Sequence, residues 1–202
     1  MTTPDPDPLL RSVIRHSIES SPALEIQLGI GPMLDVPAHK VLQDDLRAEA
    51  SPWEVHVAVA SLRDILPDQP GLYMFVWRPS IRLAMADNSQ ASFHQVLYIG
   101  QAGGSGQRGN TIRNRFRDYC KHLRGDPEAL WTQEAPTTRT ARLTHYLALR
   151  PLEFWFATVE DRSKIKNLES RLINLYNPPL NNQNRPRLRA RVSATPRPTL
   201  RP

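Results

Sequence analysis

The fold turns on Gly71-Leu72-Tyr73-Met74-Phe75-Val76-Trp77 and, further on, Val96-Leu97-Tyr98-Ile99-Gly100. Both runs are apolar and aromatic, and each reads as a strand. In the first, Tyr73, Phe75 and Trp77 alternate with Leu72, Met74 and Val76, so a strand sends the two sets to opposite faces. A glycine opens one strand and another closes the next, which allows a backbone or a ligand to approach closely. By spacing alone this is equally a hairpin with two buried tyrosines.

Leu152 to Val159 is a third strand, apolar on both faces apart from Glu153 and Thr158, and is expected to be covered on both sides. Thr111 to Leu123 reads as a helix with the stripe Ile112, Phe116, Cys120 and Leu123, stopped by Gly125-Asp126-Pro127. Ser163 to Tyr176 is a second helix, ended by Asn177-Pro178-Pro179, and Ala141 to Leu149 carries a weaker helical pattern. Upstream, helical spacing predicts helices over Leu9–Ile18, Val41–Ala50 and Trp53–Leu66. Arg78 to Gln95 reads as a long polar connection.

Charge divides the chain. Residues 1–100 carry 7 Lys/Arg against 12 Asp/Glu, and residues 101–202 carry 19 against 8. A basic second half points to a polyanion partner. The tail beyond Gln183 holds Arg185, Arg187, Arg189, Arg191, Arg197 and Arg201 with four prolines and no acid, a composition that builds no core and is expected to be disordered. The single cysteine, Cys120, excludes an intrachain disulfide framework and a multi-cysteine zinc site. With no signal-peptide or membrane-spanning pattern expected, the default compartment is a reducing cytoplasm.

Two helices carry residues that invite chemistry. On the C-terminal helix Ile165, Leu168, Leu172, Ile173, Leu175 and Tyr176 span one arc at about 100° per residue, and Glu169 falls inside it. A carboxylate among apolar residues is costly unless paired or bound to a cation; the plainer reading is an edge residue with a salt bridge. On the earlier helix Arg115, Tyr119 and His122 share a face. Arg115 there is either a surface arginine or a bidentate phosphate clamp. The loop Gly104-Ser105-Gly106-Gln107-Arg108-Gly109-Asn110-Thr111 comes near the phosphate-loop pattern, but Asn110 stands at the lysine position. It reads better as a mobile loop over a substrate groove.

Taken together, these residues resemble the GIY-YIG nuclease family over roughly residues 67–182. Gly71-Leu72-Tyr73 is similar to its first triplet and Tyr98-Ile99-Gly100 to its second. Arg115, Tyr119, Glu169 and Asn181 fall where the family carries its arginine, its tyrosine or histidine, its metal-binding glutamate and its closing asparagine. Gln101 replaces a lysine common in the family. The resemblance implies an α+β fold, a small three-stranded antiparallel sheet flanked by helices. A helical extension (1–66) would precede the nuclease-like domain (67–182), and a basic tail (183–202) would follow it.

The implied activity is Mg²⁺-dependent hydrolysis of DNA, Mn²⁺ substituting. Tyr73 would be the general base near Tyr98, Arg115 the phosphate clamp, and Tyr119 a partner to a phosphate oxygen or the nucleophile. Glu169 would be the metal ligand, and Asn181 would brace the helix end bearing it. Gln101, Arg108, Arg113, Arg117, His122, Arg185, Arg187 and Arg189 are the candidate nucleic-acid contacts. The alternatives are a nucleic-acid-binding module that cleaves weakly and an RNA-directed nuclease; no membrane partner is expected.

Overall fold

The computed structural model describes residues 34–80, 82–84, 90–104, 109–131 and 136–181. The predicted helix over Leu9–Ile18, Arg108 and the arginine tail lie outside them. The fold is mixed α+β, built on a four-stranded antiparallel sheet in the order β1 (Glu54–Val57), β6 (Leu152–Thr158), β2 (Gly71–Trp77), β5 (Gln95–Ala102). Two short strands, β3 (Arg82–Ala84) and β4 (Gln90–Ser92), pair separately within the connection that reads as polar. Among the described residues no helix is long and apolar enough to cross a membrane.

The sheet has four strands, not the three that the resemblance implies, because the segment read as a helix over Trp53–Leu66 is a strand followed by a 3₁₀ turn, Ala60–Asp64. The helical period there marks no buried face: Val55, Val59 and Ile65 are exposed, while Leu62 and Leu66 are buried. Local alternation of Glu54, Val55, His56 and Val57, with β-branched residues at every second position, suits an edge strand instead. β6 offers it a backbone partner, with Glu54 opposite Phe156 and Val57 opposite Glu153.

Each sheet face has its own core. One joins Tyr73, Phe75, Tyr98, Phe154 and Phe156 to Phe116 and Tyr119 of α2 (Ile112–Tyr119). Phe154 lies at its centre, 4.7 Å from Phe116 and 5.1 Å from Phe75 between ring centroids, within the range where aromatic pairs add to simple area burial. The other joins Leu72, Met74, Val76 and Ile99 to Ile165, Leu168, Leu172 and Ile173 of α5 (Arg162–Tyr176). Outside α5 lies α1 (Val36–Glu49), held through Leu42 and an Arg171–Asp45 ion pair. The strand β6 is buried on both faces except at the half-buried Trp155 and Thr158.

Helix ends follow their local chemistry. The Thr111 hydroxyl accepts the Asn114 amide at the start of α2, and the Asp161 carboxylate accepts that of Ser163 at the start of α5, each satisfying one of the free amides of a first turn. Asn177 ends α5 in the left-handed conformation at φ 45°, where asparagine is tolerated better than most residues. The helix expected to run to Leu123 tightens after Tyr119 into a 3₁₀ turn, Cys120–Arg124. Two shorter helices, α3 (Pro127–Trp131) and α4 (Arg139–Leu147), lead into β6.

Candidate active site

The register of β2 against β5 sets Tyr73 opposite Gly100 and Phe75 opposite Tyr98. Because Gly100 has no side chain, the Tyr73 ring lies across it: a Cβ there would stand 2.5 Å from both Cζ and Oη of Tyr73. Gly100→Ala should therefore push the phenol out of place and cost about 1–3 kcal/mol of stability. A urea midpoint unchanged by that substitution would count against the close packing.

Tyr73, Tyr98 and Tyr119 form a cluster under α2, with ring centroids 6.1 Å (Tyr73–Tyr98), 6.0 Å (Tyr73–Tyr119) and 5.5 Å (Tyr98–Tyr119) apart. The Tyr73 and Tyr119 hydroxyls share a hydrogen bond of 3.3 Å. Tyr73 is wholly covered, and burial raises its pKa well above the usual phenol value, reinforced by the neighbouring phenols and opposed by Arg115. Burial raises Tyr119 too, again with Arg115 opposing. Neither is ionised at neutral pH in the free protein, so a role as base requires added positive charge.

Arg115 projects from α2 beside these rings. Burial works against its charge, but Tyr73 and Tyr119 outweigh that and hold it firmly cationic. Its Nη1 lies 4.0 Å from Asp118, a weak exposed pairing, and its Nε is buried with no hydrogen-bond partner.

Glu169 comes from the opposite face of the sheet, on α5. Burial pushes its pKa up to about 7, against the pull of Arg115, Lys166 and a hydrogen bond from Gln101. The Arg115 charge is thus felt at Glu169 although the two helices are seated on opposite faces of the sheet. The Gln101 Oε1 is buried without a hydrogen-bond partner.

Asn181 sits on the free edge of β5. Its Oδ1 accepts the Ile99 amide at 2.8 Å and its Nδ2 donates to the Ile99 carbonyl at 2.7 Å. It thus ties the chain beyond α5 to the strand and takes the place of a neighbouring strand. Asn181→Ala strands two buried backbone groups and should cost about 2–4 kcal/mol, read from urea unfolding; a loss under about 0.5 kcal/mol would show that the contact contributes little.

The other candidate contacts divide. Arg113 and Arg117 are exposed and share one side of α2, about 200° around it from Arg115; Arg113 also donates Nε to the Leu66 carbonyl at 2.7 Å. His122 is buried, its Nδ1 2.9 Å from the Thr144 hydroxyl. Since that hydroxyl donates to the Thr140 carbonyl, Nδ1 carries the hydrogen, and burial lowers the pKa. His122 is thus placed in the packing behind α2, not among the surface cations. Cys120 is buried, and burial raises its thiol pKa.

Two cations escape the reading of the sequence. Arg162 donates to the Gly103 carbonyl at 3.2 Å, and Lys166 acts on Glu169. Their spacing from Glu169, seven and three residues, is the helical signal that marks them. The open depression of about 400 Å³ between β1 and the 3₁₀ turn contains none of the site residues.

Among the described residues no three His, Cys, Asp or Glu side chains converge. A hard divalent cation accepts oxygen ligands and keeps several waters. One half-buried carboxylate with an unpartnered oxygen beside it fits that demand. No family model and no curated protein matches the chain, so the chemistry of these side chains has to carry the functional reading.

Proposed function

We propose that the chain is a GIY-YIG-type endonuclease that hydrolyses DNA phosphodiester bonds with Mg²⁺ or Mn²⁺, in the cytoplasm. The observation that carries this reading is the buried, unpaired Arg115 Nε beside the tyrosine cluster, with the Arg115 charge acting on the half-buried Glu169. A guanidinium in that position holds non-bridging phosphate oxygens and stabilises the charge that grows on them. Tyr73 receives the proton of the attacking water; being fully covered, it does so only once substrate has placed that water at the Tyr73–Tyr119 hydroxyl pair. Arg115 opposes the rise in the Tyr73 pKa without overcoming it, so the phenolate would form only with the added positive charge of a cation held by Glu169, the phenol's own proton leaving to solvent. Tyr119 shares the proton through its hydrogen bond, and Tyr98 fixes the ring positions. Glu169 would hold the divalent cation, whose charge would neutralise that of the departing oxygen. Water adds at phosphorus, the bond to the 3′ oxygen breaks, that oxygen takes a proton from solvent, and the ends are 5′-phosphate and 3′-hydroxyl.

The covered Tyr73 favours one competing reading, a DNA-binding module that cleaves weakly. Incubation of the protein with supercoiled plasmid, with and without Mg²⁺, separates the two. Nicked or linear product in the wild type and none with Glu169→Ala supports the nuclease. Retarded but intact plasmid in every lane sinks it.

A further inference from the structure

We propose that the side-chain oxygen of Gln101 is a second protein ligand, beside Glu169, for the divalent cation of this site. The inference rests on the nuclease reading and adds a ligand to it. Gln101 lies on β5 opposite Leu72, and its side chain hydrogen-bonds Glu169. The bond lowers the Glu169 pKa and so favours the ionised form, which only accepts; toward the carboxylate that would bind a cation, the amide nitrogen donates and Oε1 is the other end. That oxygen is buried and has no hydrogen-bond partner. A buried acceptor left unpaired is costly, so its presence next to an acid calls for a partner.

Two features choose a cation over an ordinary donor. First, the same site holds an unpaired donor, Arg115 Nε, and the two do not satisfy each other. A bound phosphodiester with its cation satisfies both, the anionic oxygen at Arg115 and the metal at Gln101. Second, the chain keeps room for this oxygen. A Cβ on residue 104 would stand 2.1 Å from Oε1, so glycine at 104 leaves the carboxamide its position. A neutral carboxamide oxygen is an ordinary ligand for hard divalent ions, and two protein oxygens select cation size and geometry better than one.

The test is Mn²⁺ titration of the full chain without DNA, by calorimetry, with bound water counted by ¹⁷O-water electron–nuclear double resonance. Gln101→Met keeps the side-chain length and removes the oxygen; Gly104→Ala displaces the oxygen and leaves Gln101 in the chain. Both should weaken Mn²⁺ binding on the order of ten- to a hundredfold. In Gln101→Met the Mn²⁺ should carry one more water than in the wild type. A purely structural glutamine would leave the water count unchanged, and that result, with wild-type-like affinity in both variants, overturns the proposal. If the wild type binds no Mn²⁺ at all, the metal-dependent nuclease reading falls as well. Gly104→Ala still decides the matter should Gln101→Met fail to fold.

Discussion

Glu169→Gln is expected to abolish metal-dependent cleavage and, in metal-free buffer, to raise the melting temperature at pH 8 but not at pH 4. The carboxyl has a pKa of about 7 in the folded protein, raised by burial from an ordinary 4.5. Below pH 4.5 it is protonated in both states and contributes no difference. Between the two values the native state holds a proton that the unfolded state has released, so stability falls as pH rises. Above pH 7 the whole penalty is present, roughly 3 kcal/mol at 1.36 kcal/mol per unit before residual water screens part of it. Glutamine carries no such charge. At about 2–4 °C per kcal/mol for a chain of this size, the gain at pH 8 is several degrees. Calorimetric scans in EDTA from pH 4 to pH 8.5 measure it. An equal offset between variant and wild type at every pH would mean that Glu169 titrates normally.

Arg115→Ala should lower single-turnover cleavage by on the order of a hundred- to a thousandfold. Several losses coincide. The scissile phosphate loses its clamp, and Tyr73 and Tyr119 lose the one charge that opposes their burial. Glu169 loses one of the influences that keep its pKa down. Arg115→Lys should rescue little, since a point charge does not reproduce the fork of a guanidinium. Tyr73→Phe should cost at least about a hundredfold if its hydroxyl takes the proton. By contrast Arg113→Ala and Arg117→Ala, on the other side of α2, should each reduce the salt dependence of DNA binding by roughly one log–log unit and leave saturated rates intact. Cleavage by Arg115→Ala within threefold of wild type would remove Arg115 from the reaction.

Much of this arrangement is legible from the residues. The apolar runs at Gly71–Trp77 and Leu152–Thr158 are strands, because both are central and their side chains are committed to two cores. Glu169 among apolar neighbours is indeed half-buried with a perturbed pKa. Edge positions are less legible. At Glu54–Val57 the alternation is only four residues long and the side chains are largely exposed, so the local strand signal is weak; the hydrogen bonds that β6 offers decide it. Likewise, Arg115 and His122 look alike on a helical wheel. The switch to 3₁₀ geometry after Tyr119 and the pairing with Thr144 carry His122 inward. The unpaired oxygen of Gln101 has no trace in the sequence, since it depends on which atom of one carboxamide faces Glu169.

The division of the molecule into an aromatic and an aliphatic core has a mechanical meaning. Arg115 rides on a helix seated on one core and Glu169 on a helix seated on the other, with the sheet between them as a spacer of fixed thickness. In the proposed nuclease the two would hold the substrate like the jaws of a calliper set on either side of the sheet. A bulkier residue at Leu168 or Leu172 lifts the jaw bearing Glu169 and leaves the tyrosines in register. A change at Phe116 shifts the Arg115 jaw and leaves Glu169 where it is. Reach towards the cation and reach towards the phosphate are thus adjustable one at a time.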